Sequence, residues 1–236
     1  MAAISAGILL YRRVPEAPGA TAGAGAAAEG TGAAAEGTGA AAGAGATAGA
    51  GAMAADKGRR ARVEVLLVHP GGPYWAKKDE GAWSIPKGEA EPGELDRSRR
   101  ADASGDPRAG DDPRVTDDPR AGAGGRDRLL AVAKREFFEE TGLDPDELAA
   151  PGAAYVPLGG VKQRGHKIVY VWALEGDCDP AAIRSNEFEM EWPPRSGRTA
   201  RFPEVDRAAW FDLPTAREKI VSGQRRFLDD LAALVG

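Results

Sequence analysis

Apolar positions along the chain fall into short runs of two kinds. From Ile4 to Tyr11 and from Val63 to Val68 the residues are almost continuously apolar and rich in β-branched side chains, and both runs are too short for buried helices, so each predicts a strand. Ala154 to Leu158 predicts a further short strand. Lys167 to Leu174 is apolar nearly throughout, the pattern of a central strand covered on both faces. Between Glu187 and Trp192 the pattern becomes a strict alternation of Phe188, Met190 and Trp192 with Glu187, Glu189 and Glu191, which predicts a half-buried strand with an acidic, wet side, ended by Pro193-Pro194. Val205 to Phe211 predicts one more strand. Helical spacing governs the remaining runs. Leu129, Leu130, Val132, Ala133 and Phe137 mark one side of a helix that Gly142 stops; Pro214 to Ile220 and Gln224 to Val235 predict two more, the last with Phe227, Leu228, Leu231 and Leu234 facing inward. Strands and helices interleave, which predicts an α/β fold.

Two tracts carry no such pattern. Residues 15–57 are Gly/Ala/Thr-rich with near-repeats, Gly30-Thr31-Gly32-Ala33-Ala34-Ala35-Glu36 being followed by Gly37-Thr38-Gly39-Ala40-Ala41-Ala42. Residues 96–127 repeat Asp-Pro-Arg at Asp106, Asp112 and Asp118 with charges that nearly balance. Neither tract has enough apolar surface to offset an ordering entropy of ~1–2 kcal/mol per residue, so both are expected to be disordered loops inserted into a single domain spanning 1–236. Asp127 is expected to cap the helix that follows.

Composition narrows the function. A net charge of -5 argues against a general nucleic-acid binder, and the balancing aspartates of the second tract argue against a basic nucleic-acid arm. The single Cys178 cannot form an internal disulfide, which fits a reducing cytoplasm, and no catalytic partner lies beside it in sequence. No stretch reaches the ~20 apolar residues of a membrane span. The apolar start is followed, rather than preceded, by Arg12-Arg13, the wrong charge order for a secretory signal. A cytoplasmic protein with a small-molecule partner, no stable nucleic acid and no membrane is expected.

The candidate chemistry lies in Arg135-Glu136-Phe137-Phe138-Glu139-Glu140-Thr141-Gly142-Leu143. On a helix, residues three and four apart share a face, so Glu136, Glu139 and Glu140 project as one carboxylate cluster whose mutual repulsion invites a cation. Oxygen-only ligands favour Mg²⁺ or Mn²⁺. Taken alone, an acidic run is more often a solvated helix face. Upstream, Trp83-Ser84-Ile85-Pro86-Lys87-Gly88-Glu89-Ala90-Glu91-Pro92-Gly93-Glu94 has a Pro and Gly spacing that forbids regular helix, and it reads as a structured loop that turns backbone groups and Lys87 toward a ligand.

Together, Gly88, Glu94 and the segment from Arg135 to Leu143 resemble the signature of the Nudix hydrolases, in which a glycine and a glutamate precede Arg-Glu-apolar-any-Glu-Glu-any-Gly-apolar. Every specified residue is present, and Ile85-Pro86-Lys87-Gly88-Glu89 is also typical of the family. The departure is the second insert, which separates Glu94 from Arg135 where the family has a short spacer. Lengthening that connection about sixfold costs on the order of 1.6 kcal/mol in loop closure, which is tolerable if both ends stay anchored. It leaves open whether Glu94 still reaches the helix.

The resemblance implies a Nudix fold, an α/β/α sandwich with a mixed β-sheet, and metal-dependent hydrolysis of a nucleoside diphosphate linked to another group. It implies Gly88, Glu136, Glu139 and Glu140 as holders of Mg²⁺ or Mn²⁺, with Arg135 orienting a carboxylate. Glu139 and Glu140 are then catalytic candidates, and Glu191 is the first candidate for a general base outside the signature, ahead of Glu189. Lys87, Arg164, Lys167 and Arg195 are candidate phosphate contacts; Trp75 and Trp83, with Tyr74, are candidates to stack on a base. The segments Glu187 to Arg195 and Phe202 to Phe211 resemble a bacterial branch related to diadenosine-polyphosphate hydrolases, so a dinucleoside polyphosphate such as diadenosine tetraphosphate is the first substrate expected. Nucleotide sugars, nucleoside triphosphates and a catalytically inert nucleotide-sensing module are the alternatives.

Overall fold

The computed structural model describes residues 3–15, 61–95, 123–163 and 167–236. All that follows concerns the compact unit of Met1–Val14 and Arg62–Gly236. Its strands are β1 (Ile4–Pro15), β2 (Ala61–Pro70), β3 (Lys87–Glu89), β4 (Val156–Gln163), β5 (Lys167–Glu175), β6 (Glu187–Glu191), β7 (Thr199–Pro203) and β8 (Val205–Asp212). Its helices are α1 (Ala123–Thr141), α2 (Pro145–Leu148), α3 (Leu213–Lys219) and α4 (Arg225–Val235).

Six strands form the main sheet in the order β4-β5-β1-β2-β8, with β3 attached to β1. β1 runs parallel to β5, whereas β3 on β1, β4 on β5 and β8 on β2 are antiparallel, so the sheet is mixed. Continuous apolar runs in β1 and β5 follow from burial on both faces. Ala6, Ile8 and Leu10 of β1, with Tyr170, Trp172 and Leu174 of β5, pack under Leu129, Val132, Ala133 and Phe137 of α1. Leu9 and Tyr11, with Val169, Val171 and Ala173, pack on the opposite face under Phe227, Leu228 and Leu231 of α4 and Ile220 after α3. Each Val, Leu, Ile or Phe among them contributes ~1.5–3 kcal/mol when fully buried. The expected α/β sandwich is therefore present, one helical layer on each side of the sheet.

Several boundaries differ from the sequence reading. β4 starts and ends later than expected because Gly159 and Gly160 are accommodated in the ladder, with a shift of register between Pro157 and Gly159. α1 begins at Ala123, so Asp127 lies within the helix and does not cap it. Of the two expected inserts, 16–57 and 96–122 lie outside the described residues. The alternating segment Glu187–Glu191 does form a strand, but it pairs with β7 in a separate two-stranded hairpin instead of joining the main sheet. No helix among the described residues is long and apolar enough to cross a membrane.

Candidate active site

α1 presents its two faces as its spacing requires. Phe137 is fully buried and Phe138 is exposed, while Glu136 and Glu140 turn along the flank of the helix toward β3. The helix ends where Gly142 takes a φ of 72°, and a Cβ there would stand 2.7 Å from the carbonyl oxygen of Arg184. That close approach ties the end of α1 to the segment leading into β6: Arg184 N donates to Thr141 O (2.8 Å) and Asn186 N to Glu139 O (3.2 Å).

β3 supplies the facing wall. Its ladder pairs Gly88 with Ala6, whose side lies under α1, and the Glu136 carboxylate packs so tightly on Gly88 that a Cβ would fall 1.6 Å from Glu136 Oε2. One position along, the Lys87 amide donates to Glu140 Oε2 (2.8 Å). Arg135 gathers the remaining acids. Its Nη1 meets Glu136 Oε1 at 2.7 Å and Glu139 Oε2 at 2.9 Å. Its Nε and Nη2 form a fork on the two oxygens of Glu94, each 3.1 Å away. Glu94 thus reaches α1 across the whole second insert, and what it grips is the guanidinium; Glu91 N also donates to it (2.6 Å).

Charge is unbalanced here. Burial raises the Glu140 carboxyl to about 7 although Lys87 opposes it, and Glu136 and Glu204 push it further up. Burial likewise raises Glu136 against the pull of Arg135, with Glu139 and Glu204 adding to it. Burial works against the charge of Arg135, but Glu94, Glu136 and Glu139 outweigh it and raise its pKa. Burial also raises Glu94, yet the Glu91 amide and Arg135 hold it below its ordinary value. Lys87 is pulled down by burial while Glu140 and Glu136 hold it up.

Among the described residues, no three His, Cys, Asp or Glu side chains converge as metal ligands do. The donors nonetheless fit a hard divalent cation in kind. They are carboxylate oxygens only, two of them already converge on the single Nη1 of Arg135, and burial leaves Glu136 and Glu140 short of positive charge.

Other expected residues fall elsewhere. Glu191 lies near the tip of the β6–β7 hairpin and accepts from Gly197 N (2.8 Å), so its carboxylate is engaged by its own turn. Four residues of strand carry it on the order of 13 Å from Glu187, at the base beside α1. Glu189 pairs with Arg201 (2.7 Å) and is exposed. Arg195 sits in the hairpin turn with a φ of 64°. Trp83 is a correction. At 5% exposure it belongs to the core under α4, its Nε1 donates to Asp79 and its ring meets His69 and Phe211 edge-on, which leaves no face for a base. Trp75 is half-buried, with Lys78 Nζ 4.3 Å above its ring. Tyr74 packs edge-on against Trp192 of the hairpin. Lys167 stays at the sheet end, 2.9 Å from Glu89. Arg164 lies outside the described residues.

Glu204, between β7 and β8, is the acid the sequence reading missed, for it acts on both Glu136 and Glu140. A signal existed. The turn Pro193–Gly197 separates two alternating runs, and folding them as a hairpin brings Glu204 back level with Asn186, whose carbonyl accepts from Glu204 N (2.8 Å).

No family model matches the chain and no curated protein does. Among solved structures, the Ap4A hydrolase of C. elegans aligns over 100% of this chain and 100% of its own, at 15% identity and a TM-score of 0.43. The NUDIX domain of Shewanella oneidensis NrtR, solved as a complex with ADP ribose, aligns over 100% and 90%, at 11% identity and 0.44. A mutT/nudix family protein from Listeria innocua aligns over 99% and 93%, at 12% identity and 0.42. At these values the likenesses assign no residue and no activity, and the functional reading rests on the signature residues and their geometry.

Proposed function

We propose that the protein is a Nudix-type hydrolase of phosphoric anhydrides, a single domain interrupted by two inserts, that cleaves a nucleoside diphosphate linked to another group. The observation that carries this is the seating of Glu136 against the side-chain-free Gly88, with Glu139 and Glu140 beside it and too little positive charge to match them. Glu136, Glu139 and Glu140, with the Gly88 carbonyl, would hold Mg²⁺ or Mn²⁺. Such an ion, when bound, neutralises charge on the pyrophosphate oxygens and makes a bound water more acidic.

The chain's own groups do the rest. Arg135 fixes Glu94, Glu136 and Glu139 through one planar fork, so the acids are oriented before substrate arrives. Glu140, whose buried carboxyl is raised to about 7 with Lys87 opposing, is the acid whose charged form a bound cation would favour most. Glu204 replaces Glu191 as the carboxylate outside the signature that is placed to act on this group. Lys87 and Lys167, at the same sheet end, supply cations for phosphate. A dinucleoside polyphosphate such as diadenosine tetraphosphate heads the substrate list, followed by nucleotide sugars and nucleoside triphosphates. Incubation of the full chain with Mg²⁺ and this panel, with separation of products, tests the reading; if no phosphoric anhydride is cut, the reading fails.

A further inference from the structure

His69, near the end of β2, is 0% exposed, and its ring meets Trp83 edge-on. Its Nδ1 lies 2.7 Å from Asp206 Oδ1, and because a carboxylate oxygen accepts, Nδ1 carries the proton and donates. Nε2 stands 2.9 Å from Lys78 O, an acceptor, and 2.9 Å from Arg207 Nη2, a donor. Whichever of these two it serves, the bond to Asp206 is kept.

Asp206 is the extra residue of a bulge. His69 pairs with Arg207 but Pro70 pairs with Val205, so β8 takes two steps where β2 takes one. Proline explains the place, since Pro70 has no N–H with which to continue the ladder. Left out of the pairing, Asp206 can turn its side chain to His69. Beyond the bulge the chain is closely fitted. Gly71 N donates to Glu204 O (2.8 Å), and a Cβ on Gly71 would fall 2.0 Å from Pro203 O. Glu204 N donates to Asn186 O (2.8 Å) and Asn186 N to Glu139 O (3.2 Å), so two backbone bonds tie Glu204 to α1. In a ladder without the bulge, Pro70 would pair with Asp206 and Gly71 with Val205. Glu204 would then move along by one position, ~3.3 Å, and its side chain would turn to the other face.

Resting on the hydrolase reading above, we propose that His69 is a positioning residue: by holding Asp206 in the bulge it sets the register of β8 and so aims Glu204 at the carboxylates of α1. An apolar side chain would fill the same place in the core. What it lacks is the power to select one register, the use to which buried polar pairs are best suited. His69 acts through Glu204 and takes no part in the bond-breaking.

A double-mutant cycle on the full chain tests this, with His69→Leu, Glu204→Gln and both together. It is read as kcat and KM on whichever anhydride of the panel is cut, at saturating Mg²⁺, and as the Kd for Mn²⁺ without substrate. Glu204→Gln is expected to lower kcat tenfold or more and to weaken Mn²⁺ binding at least threefold. His69→Leu should match both losses with KM unchanged within twofold, and the double variant should lose no more than either single one. Asp206→Ala, on the partly exposed side of the pair, should reproduce His69→Leu even if that variant does not fold, whereas His69→Gln, whose amide can still donate to Asp206, should keep kcat within about threefold of wild type. Losses that multiply in the double variant would overturn the proposal, because His69 would then act on the fold at large and not through Glu204. Wild-type behaviour of Glu204→Gln, or of Asp206→Ala, would overturn it as well. If the wild type cuts no anhydride, the hydrolase reading fails, and the cycle in Mn²⁺ affinity alone decides the positioning role.

Discussion

The molecule contains two gatherings of charge at opposite ends of its sheet, and they are built on different terms. Near the ends of β1 and β2, Glu64 is 7% exposed and lies between Arg12, at 2.8 Å, and Arg62; Arg12 also reaches Asp177 at 2.8 Å and stacks 4.4 Å over Trp210. Each buried acid there has its base. At α1, by contrast, Glu94, Glu136 and Glu139 share one arginine, and Glu140 has Lys87 but also Glu136 and Glu204 as neighbours. A matched cluster closes a fold. An unmatched one costs stability, and a chain that keeps it is keeping a place for something positive.

This contrast can be broken experimentally, beginning with the strongest lever. Glu140→Gln is expected to lower turnover ~10²–10³-fold, the scale of losing one preorganised electrostatic group, whereas Glu64→Gln should leave turnover within about twofold. Steady-state rates with saturating Mg²⁺ decide this, and equal losses would erase the distinction.

The second lever is pH in the presence of chelator. Because the folded protein holds the Glu140 proton up to about 7 and the unfolded chain releases it near 4.5, the stability this group supports is fully present below 4.5 and disappears as pH rises through 7. The loss is on the order of 3 kcal/mol, from 1.36 kcal/mol per pKa unit. Urea midpoints between pH 4.5 and 8 should show this decline in wild type, a shallower one in Glu140→Gln, where the raised Glu136 carboxyl remains, and recovery on adding Mg²⁺.

Next is Gly88→Ala. Its methyl group would sit where Glu136 Oε2 now lies, and an ångström-scale displacement of that carboxylate is expected to cut turnover ~10²-fold and to raise the Mg²⁺ concentration needed for half activity. The smallest effect is the stability cost of Glu64→Gln, about 1–2 kcal/mol from the urea midpoint at unchanged slope, because the partly exposed arginines it abandons can turn to water.

Much of this was legible before any coordinates. The double-faced burial of β1 and β5, the apolar side of α1 and its glycine stop all follow from residue spacing. So does the single face shared by Glu136, Glu139 and Glu140. What spacing could not convey were pairings between distant segments. β3 is three residues long and has no pattern of its own; it is a strand only because Ser5, Ala6 and Gly7 lie alongside. Trp83 looked like a stacking platform, since a loop aromatic carries no mark of which way it turns. Glu191 and Glu204 are equally acidic in sequence, and only the hairpin's return tells which of them stands by α1.

The pairing of Gly88 with Ala6 has one more consequence. A slip of β3 by a single position in either direction would turn Lys87 or Glu89 toward α1 and bury Gly88 on the other side. A glutamate set against Glu136 repels it, and a lysine overfills the gap that only a hydrogen atom now fits. Misthreading is therefore rejected by the same contact that seats the carboxylate, and the short strand proofreads its own alignment.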